Sequence, residues 1–158
     1  MAQPWRIVDS TDTDEGLLDL RQRGEKDFLI TIDGRVLMNS SANMSEIVLA
    51  KLACEPLKNK KNPRVLVGGL GMGFTLKAAI ANLPADAEVV VAELNPIIVK
   101  WCRGPLAHFS GGAVDDPRVK VVIEDVGKNG DIKYWRDASQ VHHVPKRSLE
   151  EIVLRINE

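Results

Sequence analysis

The stretch Arg64-Val-Leu-Val-Gly-Gly-Leu-Gly-Met-Gly-Phe74 constrains this chain more than any other. An apolar, β-type run breaks into four glycines within six residues and then resumes with helical spacing. A strand interrupted in this way needs a sharp turn or a close backbone approach that a side chain would obstruct. About one strand–helix–strand later, Val89-Val-Val-Ala-Glu-Leu-Asn95 repeats the apolar run and ends on a carboxylate. Glycines at the first turn and an acid at the tip of the second strand are the layout of a nucleotide-binding βαβ unit.

The periodicity around this unit predicts an α/β fold in two parts. Leu17 to Leu20, Phe28 to Ile32 and Val36 to Met38 read as short strands. They are separated by the turn-like Arg23-Gly24-Glu25 and by Asp33-Gly34, a strong hairpin signal between apolar runs. An antiparallel β-meander is therefore expected over residues 1–42. Asn43 or Ser45 can cap a helix carrying Ile47, Val48, Ala50, Leu52 and Ala53, which Pro56 stops. After the solvated Lys58–Pro63 linker, residues 43–126 continue as a partial Rossmann-type parallel sheet with flanking helices. Its strands are Val65 to Val67, Val89 to Ala92 and Val119 to Ile123. Leu76, Ile80 and Leu83 form one helix face, and Asn95-Pro96 opens the next helix as a cap and first helical proline. Residues 127–158 change character. Gly127 to Gln140 is polar without period, whereas Ser148-Leu-Glu-Glu151 is a capping box. Leu149, Ile152, Val153 and Ile156 read as the stripe of an amphipathic helix.

Composition narrows the function classes. The chain has 158 residues, 44% of them apolar, with Lys+Arg 21 against Asp+Glu 22. The near-zero charge gives no electrostatic footprint for nucleic acid. No apolar run approaches the roughly 20 residues that span a bilayer, and Met1 to Arg6 has no signal-peptide core. Cys54 and Cys102 lack metal-type spacing, so a reduced, cytoplasmic protein is expected. Adjacent residues of a strand face opposite ways, so His142-His143 does not assemble a metal site, and none is expected.

The spacing of the glycines selects among nucleotides. A dinucleotide fingerprint needs a third glycine where Phe74 stands, which disfavours a nicotinamide-dependent oxidoreductase. Gly69-x-Gly71-x-Gly73 is instead the spacing common in enzymes that hold S-adenosylmethionine-like nucleosides. Gly68, Gly69, Gly71 and Gly73 would pass close to the ligand. Glu93, followed by Asn95, would take the ribose hydroxyls. Glu124-Asp125, after the third strand, is placed for the adenine amino group. Open α/β sheets bring such strand ends to one crevice.

Residues 16 to 125 resemble the spermidine/spermine synthase family. The matching features are Ile32-Asp33-Gly34, Ser45-Glu46, Val67-Gly68-Gly69-Leu-Gly71-Met-Gly73, Val91-Ala-Glu93-Leu-Asn95-Pro96 and Glu124-Asp125. The resemblance implies transfer of an aminopropyl group from decarboxylated S-adenosylmethionine to an amine such as a polyamine. In the same fold, S-adenosylmethionine itself serves for methyl transfer. Three features depart from the family. Met44-Ser45 stands where a tyrosine-histidine type pair precedes the glutamate matching Glu46, and Leu37 stands near a substrate-contacting glutamine. Tyr134-Trp-Arg-Asp-Ala-Ser139 only faintly echoes the catalytic loop, which leaves Asp137 as the one candidate base. At roughly 30 residues per βαβ unit, the 33 residues after Asp125 fall short of the family's remaining strands. The chain thus reads either as a transferase truncated after the third core strand or as a non-catalytic nucleoside-binding or interaction module. The Val65–Val67 strand would then have a bare outer edge. Val141 to Val144 is expected to pair there with the Leu149–Ile156 helix alongside, or else a second subunit of a homo-oligomer covers the edge.

Overall fold

The computed structural model describes residues 3–125, 141–142 and 152–156. Two compact units divide the chain at Asn43/Met44. The first is a four-stranded antiparallel meander of β1 (Arg6–Thr13), β2 (Gly16–Arg23), β3 (Asp27–Ile32) and β4 (Arg35–Asn39), paired in that order. Leu18, Leu20, Phe28, Ile30 and Ile32 are buried, at the alternate positions that share one face of β2 and β3. The β3–β4 turn is Asp33-Gly34 closed by the pair Ile32–Arg35. Both turn residues have positive φ, 45° and 78°, as a two-residue type I′ loop demands. Asp33 also ties the neighbouring hairpin, its carboxylate accepting the Leu17 N–H at 2.8 Å. The sequence reading omits β1, which is polar and largely exposed and so carries no clean alternation of apolar residues.

The second unit begins with α1 (Met44–Cys54), followed by a 3₁₀ turn over Glu55–Leu57 that holds Pro56. Then come β5 (Arg64–Gly68), α2 (Phe74–Ala81), β6 (Glu88–Glu93), α3 (Pro96–Arg103), α4 (Ala107–Ser110) and β7 (Val119–Ile123). Strands β5, β6 and β7 are parallel neighbours, with Gly68 beside Ala92 and Glu93 beside Ile123. Val65, Leu66, Val67, Val89, Val90, Val91 and Ala92 are all buried. An uninterrupted apolar run is what a strand covered on both faces requires. Helix α2 buries Leu76 and Ala79, and α1 packs on it.

Three expectations about the carboxyl-terminal segment change. Ile152–Ile156, expected as the end of an amphipathic helix, is strand β9, antiparallel to β5 along its whole length from Arg64–Ile156 to Gly68–Ile152. Ile-Val-Leu-Arg-Ile satisfies a two-residue period as well as a helical one, and its β-branched residues suit a strand. The unpaired backbone of β5 then decides between the two periods. Val141–His142 is strand β8, but it pairs with β9 and not with β5. The sheet order is β7-β6-β5-β9-β8, so the chain covers the β5 edge itself. That edge therefore gives no reason to invoke a second subunit. The capping box, Leu149, His143, Val144 and the Tyr134–Ser139 segment with Asp137 lie outside the described residues.

Arg118, in the approach to β7, was not singled out from the sequence, yet it ties the end of α2 to the sheet. Its guanidinium donates to the carbonyl oxygens of Ile80 (3.1 Å), Leu83 (3.1 Å) and Pro84 (3.3 Å). The same group is paired through two nitrogens with Asp116, both contacts at 3.0 Å. It thereby gathers the carbonyls of the helix end and of the turn that follows it around one cation. Hydrogen bonds from Arg118 hold the Asp116 carboxyl below its ordinary value. This stabilisation is present above the unfolded carboxyl value of 3.8 and is lost as pH falls through the lower folded value. Arg118→Ala is expected to cost about 1–3 kcal/mol at neutral pH. The gap to the parent chain should narrow as pH falls below 3.8, as urea titrations would show. A gap independent of pH would remove the Asp116 contribution.

Candidate functional site

The carboxyl ends of β5, β6 and β7 lie side by side, and the residues singled out in the sequence gather there. Gly68 closes β5, and the loop Gly69–Gly73 follows it into α2. Leu70, Met72 and Phe74 alternate with the glycines and are buried, at 1%, 0% and 6% exposure. These apolar side chains pin the loop from below, while Gly69 and Gly71 remain half-buried. Gly69, Gly71 and Gly73 all have positive φ, 93°, 54° and 85°, in a region costly for residues with a Cβ. Phe74, at the position that rules out a dinucleotide fingerprint, starts α2 and packs on the Phe109 ring at 5.3 Å.

Glu93 ends β6 at 6% exposure. Its Oε2 accepts the Leu70 N–H at 2.8 Å and its Oε1 accepts the Asn95 N–H at 2.9 Å. One carboxylate thus joins the glycine loop to the start of α3. Burial pushes the Glu93 carboxyl up, against the opposing pull of the Asn95, Leu70, Gly71 and Leu94 backbone N–H groups. A carboxylate offers about four lone-pair sites, and these backbone N–H groups draw on them.

Asn95 stands at the position before α3 and Pro96 at the first helical one, as the dipeptide predicts. The Asn95 side chain makes no capping bond. Glu124 and Asp125 follow β7 and are half-buried, and the Glu124 N–H donates to the Glu93 carbonyl at 3.1 Å. The structure therefore brings the glycine loop, Glu93, Asn95 and Glu124-Asp125 to one end of three adjacent strands.

Two residues that the sequence reading did not place in a site also belong to this end. The Cys102 thiol on α3 donates to the Gly71 carbonyl at 3.2 Å. The Ser110 hydroxyl at the end of α4 donates to the Cys102 carbonyl at 2.9 Å. Ser110 also sits against Gly73, where an added Cβ would lie 2.7 Å from the serine Cβ. No local motif marks these residues, because the contacts join segments far apart in sequence. Among the described residues no group of three or more His, Cys, Asp or Glu side chains is placed to hold a metal ion.

No family model matches the chain. Among curated proteins it is 31% identical over 101 residues to polyamine aminopropyltransferase 2 of Pseudomonas aeruginosa, an alignment covering 63% of this chain and 28% of that protein. It is 42% identical over 65 residues to the polyamine aminopropyltransferase of Pyrobaculum calidifontis, covering 40% and 22%. The chain thus spans less than a third of the length of these relatives. Spermidine synthase from Thermotoga maritima superimposes with a TM-score of 0.62 over 76% of this chain and 40% of that one, at 23% identity. A spermidine synthase in complex with the transition-state analogue AdoDATO gives the same score over 76% and 41%. The shared fold is an antiparallel meander followed by a Rossmann-type α/β sheet, as read from the sequence. By aligned sequence the chain is similar to part of the polyamine aminopropyltransferases, and by fold to part of the spermidine synthases, in line with the spermidine synthase-like resemblance of its motifs.

Proposed function

We propose that Gly68, Gly69, Gly71, Gly73, Glu93, Asn95, Glu124 and Asp125 form a nucleoside site for decarboxylated S-adenosylmethionine or S-adenosylmethionine. In this reading the chain is a spermidine synthase-like transferase that moves an aminopropyl group to a polyamine. The observation that carries it is Glu93. It is a buried carboxylate at a strand tip, held by the glycine loop it faces, at the place where an acceptor for ribose hydroxyls is needed. The donor set suits a nucleoside, with neutral backbone where a sulfonium and amino group would lie and acids where hydroxyl and amino hydrogens need acceptors. The sulfonium donor is already activated. The amine nitrogen attacks the carbon bonded to sulfur, that C–S bond breaks, methylthioadenosine leaves, and the amine gives up a proton. The protein has to position the amine and accept that proton. Asp137 remains the candidate for accepting it.

A second reading, a nucleoside-binding module without transfer, has one observation in its favour. Strand β9 runs antiparallel on the β5 edge, so the sheet does not continue there as a further parallel βαβ unit.

Calorimetry with S-adenosylmethionine, its decarboxylated form and methylthioadenosine tests the site, and a product assay with putrescine separates the two readings. Binding of at least one nucleoside is expected, and Glu93→Ala should weaken it by about 1–3 kcal/mol. No heat with any of the three up to about 1 mM would remove the nucleoside site altogether.

A further inference from the structure

The glycine loop is held from behind by groups that cannot themselves reach a ligand. Gly71 is held through its backbone carbonyl, which accepts the Cys102 thiol at 3.2 Å. Cys102 is in turn fixed by Ser110, whose hydroxyl donates to the Cys102 carbonyl (2.9 Å) and also to that of Ala107 (3.2 Å). Ser110 then backs Gly73 so closely that no Cβ fits between them. Cys102 and Ser110 are 2% and 1% exposed. Helices α3 and α4 thus reach the loop at two of its three positive-φ glycines. The third, Gly69, is bound by its own N–H to the Ala92 carbonyl of β6 at 2.7 Å.

We propose that Cys102 and Ser110 are positioning residues that hold Gly71 and Gly73 in the geometry a nucleoside needs. The proposal rests on the nucleoside reading of this site. Affinity in a preformed site depends on conformational cost removed before the ligand arrives. Loss of the thiol donor leaves the Gly71 carbonyl without that partner and lets the peptide sample other orientations, although the ligand never touches sulfur.

The experiment is calorimetry with methylthioadenosine on the parent chain, Cys102→Ala, Cys102→Ser and Ser110→Ala, all at a temperature where each is folded. Cys102→Ala and Ser110→Ala should bind about three- to tenfold more weakly, the effect of one modest hydrogen bond. Cys102→Ser, which restores a donor, should return to within about twofold of the parent. A merely structural role would lower Tm in the alanine variants and leave their Kd unchanged.

Alkylation of the parent chain by iodoacetamide, read peptide by peptide, is the arm that needs no variant to fold. Saturating methylthioadenosine should slow labelling of Cys102 and leave Cys54, a buried residue of α1, unchanged. Binding that is indifferent to Cys102→Ala overturns the positioning role alone. So does equal loss in the Ala and Ser variants, or unaltered Cys102 labelling with ligand bound. Absence of any binding by the parent chain instead removes the nucleoside reading, and the positioning role with it.

Discussion

Gly73→Ala lowers the stability of the chain by about 2–5 kcal/mol, the sum of a strained backbone and an overpacked contact. The two costs have separate origins. A residue with a Cβ is disfavoured at φ 85° wherever it stands. The added carbon would also lie 2.7 Å from the Ser110 Cβ and 3.1 Å from its Cα, and backbone cannot swing aside as a flexible side chain can. Urea titration against the parent chain measures the sum, and Ser110→Gly placed in the Gly73→Ala background separates the terms. That second change opens the contact and should recover part of the loss while the φ cost remains. A Gly73→Ala chain as stable as the parent would show that α4 does not back the loop as described. The same substitution should weaken nucleoside binding more than Cys102→Ala does, because it displaces the loop backbone itself.

Glu93 produces the second large effect, and its size depends on pH. Removal of the carboxylate in Glu93→Ala leaves the buried Leu70 N–H and the half-buried Asn95 N–H without their acceptor. At neutral pH the expected loss is about 2–4 kcal/mol, offset in part because a buried charge is removed as well. The parent chain carries a further signature. Burial raises the Glu93 carboxyl above 4.5, so between that value and the raised one the folded state binds more protons than the unfolded state. The Glu93 contribution to stability is therefore fully present below 4.5 and declines as pH rises through the folded value, with no further change above it. This opposes Asp116, whose contribution is lost toward acid. Glu93→Gln removes the titration but turns an amide NH₂ toward one of the two backbone donors. Its stability should be flat through this window and below that of the parent. A Glu93→Gln chain that keeps the parent's decline with rising pH would assign the titration to another group.

How much of this could be read from the amino acids differs from element to element. Val65–Val67 and Val89–Ala92 announced buried strands because no polar residue interrupts them. Asp33-Gly34 announced a hairpin because few other residues accept two consecutive positive φ values. The glycine loop was legible for the same reason, and the strand-end acids followed from their places after each apolar run. Strand β1 was not legible, since it is held by pairing to β2 and carries little apolar alternation of its own. Arg118 and Ser110 were invisible too. The first matters through carbonyls more than thirty residues away, and the second through a gap that exists only once α4 lies against the loop.

The sequence alone determined those parts whose cause is local: the positive-φ loop, the two-residue turn, the valine-rich strands, and the carboxylate at the tip of β6. Backbone sterics and side-chain burial act within a few residues, so they leave a mark in the order of amino acids. Tertiary structure decided what Glu93 holds and which segment completes the sheet. Ile152–Ile156 accepts either a helical or an extended period, and only the unpaired donors and acceptors of β5 select the strand. The Glu93 lone pairs are likewise apportioned by which N–H groups the folded loop and α3 bring within reach, a competition among partners that a linear order of residues does not encode.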